Sequence, residues 1–298
     1  MTNEKITTMH EKNMKRVTTG QTITKSITTT LLYIFLSIMA LIVVFPFYWM
    51  IISSLKSVAE YRLPIPTLVP QKFMWSNYFG VFTTENLAKC FVNTVYVGIV
   101  STILSLVITV ISAFAFARLE FKGKNAMFAA LLATMMIPGE LFTISNYVTV
   151  VKFGWQNTYT ALIVPFLVSV FYIYLLRQNF LQIPNELYLA AKVDGTTDFK
   201  YLWKVMIPLS LPNLISITIL KMMGAWNSYV WPQYINLDEG MRLITNALRA
   251  GIIDENTNLP HYPMQMAAVT VVSIPLFLVF IFLRKYIMKG VSRSGIKG

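Results

Sequence analysis

An ionisable side chain inside a long apolar stretch costs about 2.5–3.5 kcal/mol at a helix centre, so Glu140 and Lys221 are the first residues that ask for a chemical reason. Glu140 follows the helix-breaking pair Pro138-Gly139; it could line a translocation path, sit near the outer interface, or cap a broken helix. Lys221 could line the same path, face a partner subunit, pair with Glu140, or snorkel toward an interface. Shortly after it come Trp226, Asn227, Tyr229 and Trp231. Aromatic faces that stack on C–H surfaces, beside an amide that matches hydroxyls, suit a polar organic solute. The same aromatics at a span end also suit the interfacial belt. Asn93 reads as an amide that packs helices.

Other chemistries lack their residues. Cys90 is the single cysteine and His10 and His261 the two histidines, far apart, so disulfide, redox and metal chemistry are set aside. No G-x-x-x-x-G-K-[ST] phosphate loop and no G-x-G-x-x-G fingerprint occurs, which leaves the chain without an ATP site of its own. No Ser-His-Asp set or carboxylate pair falls on one level, so an enzyme within the membrane is disfavoured.

The elements that position these residues follow from composition. Of 298 residues, 55% are hydrophobic and 13% charged, with a mean hydropathy of +0.58, where a soluble domain is about 25% charged. Six stretches approach the roughly 20 apolar residues that cross a bilayer: 29–55, 90–117, 125–151, 153–176, 205–234 and 264–283. The first is too long for a signal-peptide core and no A-x-A pattern follows it, so it is expected to be a retained span. Six crossings put both termini on one side. The tail 1–27, the loops at 118–124 and 177–204, and the end of the chain carry 17 of the 25 Lys and Arg, against seven on the other face. Both termini are therefore expected in the cytoplasm. The net charge of +12 is then a topology signal that calls for no nucleic acid. The basic, Thr-rich residues 1–27 read as a flexible cytoplasmic tail near anionic lipid. Residues 28–288 form the membrane domain, and 289–298 a cytoplasmic C-terminal tail.

The loop 177–204 is more than a linker. From Pro184, the run Asn185-Glu186-Leu187-Tyr188-Leu189-Ala190-Ala191-Lys192 holds good helix formers, with Asn185 a plausible N-cap and Gly195 a plausible stop. A second helical piece can restart at Thr197 or Asp198 and run to Pro208.

Ile183 to Gly195, then nine residues, then Val205-Met206-Ile207-Pro208 resembles the EAA signature of binding-protein-dependent ABC importer permeases, with Leu189 where that family has its Glu. Further stretches resemble the second permease of maltose-type transporters. They are Pro46-Phe47-Tyr48-Trp49 with Ser53 to Lys56, Ala113 to Gly123, Ala225-Trp226-Asn227 with Trp231-Pro232, and Lys289-Gly290 with Ser294 to Gly298.

The resemblance implies an all-α, polytopic membrane protein of the ABC type I importer permease fold, with six transmembrane helices and a cytoplasmic coupling helix. It implies a bacterial plasma-membrane subunit that carries no cofactor. Its partners would be a second homologous permease, two cytoplasmic ATPase subunits that bind ATP and Mg, and an extracytoplasmic sugar-binding protein. The cargo would be a carbohydrate. Glu186, Leu189, Ala190, Ala191, Asp194, Gly195 and Pro208 would form the ATPase-coupling segment: the alanines permit close approach, Gly195 breaks the two helices, and Asp194 caps the second. Glu186, one turn before Leu189, could supply the missing charge. The candidates for the solute path are Trp226, Asn227, Tyr229, Glu140 and Lys221. Two rival readings are an ion-coupled secondary carrier using Glu140 and Lys221, and an ABC importer permease for a non-sugar solute.

Overall fold

The computed structural model of the chain describes residues 2–83, 85–253 and 259–292. They divide into two compact units, Met1–Met74 and Trp75–Gly298.

In the first unit, helix α1 (Thr2–Ser54) is continuous. The segment to residue 27, read from sequence as a flexible tail, therefore has helical backbone. Within Thr2–Ser54, Gly20 is the only glycine and Pro46 the only proline, so little in the backbone chemistry stops the helix. Ser26–Ser54 has a mean hydropathy of 2.5 with none of its apolar window buried. Ser57 caps the short helix α2 (Val58–Tyr61) through its Oγ, and the Pro-rich segment after it folds back. Buried Glu60 accepts from the Thr67 hydroxyl at 2.7 Å and the Gln71 amide at 3.0 Å. Lys56, also buried, donates to the Thr67 carbonyl and lies 4.5 Å from the Trp49 ring.

The second unit begins with α3 (Ser76–Thr83) and the 34-residue α4 (Glu85–Arg118). The buried face of α4 carries Asn93, Val97, Ser101, Ser105, Thr109, Ala113 and Ala117 at four-residue spacing, while Val92, Tyr96, Ile99, Ile103, Val107 and Ile111 point outward. Small and hydroxyl residues inside with large apolar ones outside is the pattern of a helix whose outer solvent is lipid. Next come α5 (Lys124–Thr134), a 3-10 turn at Gly139–Phe142, α6 (Thr143–Lys152), α7 (Tyr159–Ile163), a second 3-10 turn at Val164–Phe166, and α8 (Val170–Leu181). They are followed by α9 (Asn185–Val193), α10 (Asp198–Tyr201), a π turn at Leu202–Met206, α11 (Ile207–Leu209) and α12 (Leu211–Trp226). The chain closes with α13 (Val230–Ile235), α14 (Ile244–Ala250) and α15 (Tyr262–Ser292). Helix α4 packs along α8 and α12, and α15 packs on α12 and α3. Residues 293–298, most of the expected C-terminal tail, lie outside the described residues.

Among the described residues, three helices are long and apolar enough to cross a membrane, and each of three bent pairs passes the same test as a unit, giving up to six crossings. Each bend divides one of the apolar stretches read from sequence, the first at the helix-breaking pair Pro138-Gly139. The stretch 125–151 breaks between Thr134 and Gly139 at 86°, where Pro138 and Gly139 stop the helix. Within 153–176 the break is 46°, and Ser169 starts a new helix there by accepting from the Tyr172 amide. The stretch 205–234 turns by 82° at Ser210, between Pro208 and Pro212. Its first residues belong to the π turn and α11, before the bend, and α12 has 16 residues. That is about 24 Å of helix, short of the roughly 30 Å hydrocarbon core.

Candidate functional site

Two places concentrate chemistry, the hairpin α9–α10 and a cavity beside α12.

Helix α9 starts after Pro184, whose ψ of 136° places it outside the helix. Asn185 is thus the first helical residue rather than the cap, and its Oδ1 accepts from Arg118 Nη1 at 3.2 Å. At the other end Gly195 takes φ of +68°. The Thr196 amide bonds the Ala191 carbonyl at 2.8 Å and the Gly195 amide that of Lys192 at 3.0 Å, a Schellman turn that closes off α9. Asp194 ends α9 and does not cap the second helix. Thr197 does, its Oγ1 accepting from the Lys200 amide, which corrects the sequence expectation. A Thr followed by Asp-Phe-Lys is an equally good capping signal and lies nearer the restart.

The hairpin is fastened across its turn. Asp198 Oδ1 accepts from Lys192 Nζ at 2.6 Å and from the Tyr188 hydroxyl at 2.7 Å. The Tyr188 and Tyr201 rings meet at 5.1 Å. Hydrogen bonds from Lys192 and Tyr188 hold the Asp198 carboxyl below the ordinary carboxylate range. The bond to Asp198 raises Lys192, while burial and then Asp198 raise the Tyr188 hydroxyl. Ala191 and Tyr188 pack inward on the core formed by α4, α8 and the π turn. Glu186, Ala190 and Leu189 face outward, Leu189 56% exposed and Val193 87%, joined across the turn by exposed Phe199 and Trp203. Pro208 is exposed just before the 82° bend.

The cavity has a volume of about 1200 Å3 and is lined by residues that include Glu140, Asn146, Tyr147, Tyr172, Lys221 and Tyr229. It exceeds the roughly 300–1,000 Å3 of a small-molecule pocket. Three of the sequence candidates, Glu140, Lys221 and Tyr229, meet here. Two do not. Trp226 is buried in the core with Phe91 edge-on at 5.7 Å. Asn227 turns its Nδ2 back onto the Met223 carbonyl at 2.9 Å, ending its own helix. The suggested pairing of Lys221 with Glu140 is also absent: Lys221 Nζ donates to the Phe166 carbonyl at 2.6 Å, and the ion pairs among the described residues lie elsewhere. The break after Phe166 frees that carbonyl from helix bonding, so it can take the cation. The cavity residues missed from sequence had a faint signal: Thr143, Asn146 and Tyr147 at i, i+3 and i+4 form a polar stripe on α6. Asn93 has the packing role expected of it, donating to the carbonyls of Gly240 at 2.9 Å and Arg242 at 3.2 Å and accepting from Tyr159 at 2.6 Å.

Residues 11–293 match the family model described as the binding-protein-dependent transport system inner membrane component. The chain is 31% identical over 278 residues to the arabinooligosaccharides transport system permease protein AraQ of Halalkalibacterium halodurans, covering 92% of this chain and 99% of that protein. It is 28% identical over 257 residues to the diacetylchitobiose uptake system permease protein NgcG of Streptomyces coelicolor, covering 86% and 84%. Its fold superposes with a TM-score of 0.81 and 23% identity on a chain of a bacterial ABC transporter involved in the import of the acidic polysaccharide alginate, covering 87% of this chain and 96% of that one.

Proposed function

Because the chain belongs to the family of binding-protein-dependent transport system inner membrane components, we propose that it is one of two homologous permease subunits of an ATP-driven carbohydrate importer in a bacterial plasma membrane. Two cytoplasmic ATPase subunits drive it, and an extracytoplasmic binding protein delivers an oligosaccharide. Both relatives named above are oligosaccharide permeases by name, which supports the choice of cargo. ATP and Mg belong to the ATPase subunits.

The observation that carries this reading is the fastened α9–α10 hairpin with its exposed apolar and acidic face. A carrier driven by ion gradients has no use for such a knob. Closure of the ATPase dimer pushes the outward face, Glu186, Leu189, Ala190 and Val193, and the hairpin moves as a lever because Asp198 locks its two arms. The 82° turn at Ser210 converts that push into motion of α12, which carries Lys221 and flanks the cavity. Alternating access at a cavity between broken helices follows. In this mechanism Glu140, Lys221 and Tyr229 line the solute path.

Reconstitution of this chain with its partner permease, ATPase subunits and binding protein in proteoliposomes tests the reading. An arabino-oligosaccharide and a chitobiose serve as probes. Uptake of at least one is expected to need ATP and the binding protein and to survive collapse of ion gradients. Uptake by this chain alone, driven by an ion gradient, overturns it.

A further inference from the structure

The mechanism above leaves two arginines unused, and they are built into a reciprocal joint. Arg118, the last residue of α4, is 8% exposed. Its Nη2 donates to the carbonyls of Phe180 at 2.8 Å and Ile183 at 2.5 Å, and its Nη1 to Asn185. Those carbonyls lie at and just beyond the C-terminal end of α8, where the dipole favours a cation, and the Phe180 carbonyl also accepts from the Ile183 amide at 3.3 Å. Arg177, in α8, returns the contact. Its Nε donates to the Phe116 carbonyl at 3.1 Å, in the last turn of α4, and its guanidinium lies 4.1 Å from the Phe128 ring of α5. Each helix end is thus bonded by the arginine of the other, and Arg118 reaches on into the first residue of the hairpin.

No carboxylate pairs with either arginine among the described residues; two backbone carbonyls and the Asn185 amide oxygen hold the Nη atoms of buried Arg118, while its Nε has no hydrogen-bond partner among those residues. Were the hairpin to swing relative to α4, that cation would lose its partners inside the protein, a strongly disfavoured state. Lysine cannot replace the fork, because a single ammonium does not span three acceptors fixed in different directions.

We infer that Arg118 and Arg177 are positioning residues that make α4, α8 and the coupling hairpin one moving body, so that a push on α9 reaches the cavity wall through α4 as well as along the chain into α12. This rests on the transport reading above and adds the route by which force is passed.

The test uses the reconstituted complex. In the Cys90→Ala background, spin labels at the exposed positions Glu120 and Lys200 report the distance between the end of α4 and the hairpin. That distance is expected to keep its mean and width between the nucleotide-free and ATP-bound states. In complexes carrying Arg118→Gln or Arg177→Gln, ATP hydrolysed per solute imported is expected to rise on the order of threefold or more, with the label distance broadening on ATP binding and Arg118→Lys giving an intermediate ratio. A merely structural role would lower hydrolysis and uptake together and leave the ratio unmoved. An ATP-dependent shift of the label distance with both arginines in place overturns the inference, as does an unchanged ratio in both glutamine variants or full recovery with lysine. Should the glutamine variants fail to assemble, the label measurement on the chain with both arginines still decides. A complex with both arginines that hydrolyses ATP without any binding-protein-dependent uptake counts against the transport reading instead.

Discussion

Leu189 stands where the EAA pattern has an acid, and the structure puts it on the outer face of α9 with Glu186 beside it. An exposed ion pair is worth about 0–1 kcal/mol, whereas burying a leucine in a cleft is worth about 1.5–3 kcal/mol. Docking through Leu189 therefore needs no lost charge to be restored. Leu189→Asp is expected to weaken association with the ATPase subunit by about tenfold or more and Glu186→Lys by less, measured by titrating detergent-solubilised permease with ATPase. A larger loss for Glu186→Lys would mean that the acid carries the contact. The Asp198 tie has a defined pH window. Its lowered carboxyl contributes stability above the ordinary value of 3.8, lost only as pH falls through the depressed value. The raised Lys192 contributes below 10.5, lost only at higher pH. Amide-exchange protection of the hairpin, corrected for intrinsic rates, is thus expected to stay level from about pH 5 to 9 and to fall in acid. Asp198→Asn should lower that protection by about 0.2–1 kcal/mol at neutral pH.

Gly195 shows how little backbone a lever needs. It is exposed, no atom lies within 4 Å of where a Cβ would stand, and its cost on substitution comes from φ of +68° alone. Gly195→Ala is expected to destabilise the hairpin by about 1–2 kcal/mol, with loss of exchange protection confined to residues 185–201. Helix α4 makes the opposite demand. Ala113 is fully buried where α4 meets α8, so Ala113→Leu overpacks that contact and should cost about 1–3 kcal/mol, read as a lower melting temperature of the purified protein. Pro138-Gly139 was legible as a helix break, but the breaks at Ser169 and Ser210 were the part of these elements hardest to read. Apolar composition continues straight through each, and proline is tolerated inside membrane helices when neighbours satisfy the freed groups, so hydropathy alone does not distinguish a bent pair from one straight span.

Across the chain, the excess of Lys and Arg in the tails and in the loops 118–124 and 177–204 supports the proposal that both termini and the α9–α10 hairpin face the cytoplasm. A tag at either terminus is therefore expected to be cut by protease in inverted membrane vesicles and protected in right-side-out cells. Cutting of one terminus from outside would break the six-crossing topology. The cavity assignments separate in the same preparation. Tyr229→Ala is expected to raise the KM for uptake at unchanged protein yield, whereas Trp226→Ala, which opens a hole in the core, should lower the melting temperature by the equivalent of about 3–5 kcal/mol.

Features set by local chemistry were legible in the sequence: helical class, apolar stretches, and the hairpin with its stop at Gly195. Hydropathy, capping and glycine's access to positive φ act over a few residues, so a linear reading recovers them. What only the tertiary structure decided is which side chains converge. Trp226 and Asn227 sit between the cavity-lining residues Ala225 and Ser228 yet turn inward or back on their own helix, because an angular difference of about 100° per residue separates lining from packing. Tyr172, from α8, meets Lys221 and Glu140 across sequence separations that no periodicity encodes. Arg118 looked like one more basic residue at a cytoplasmic loop until packing buried its guanidinium against carbonyls some 60 residues away.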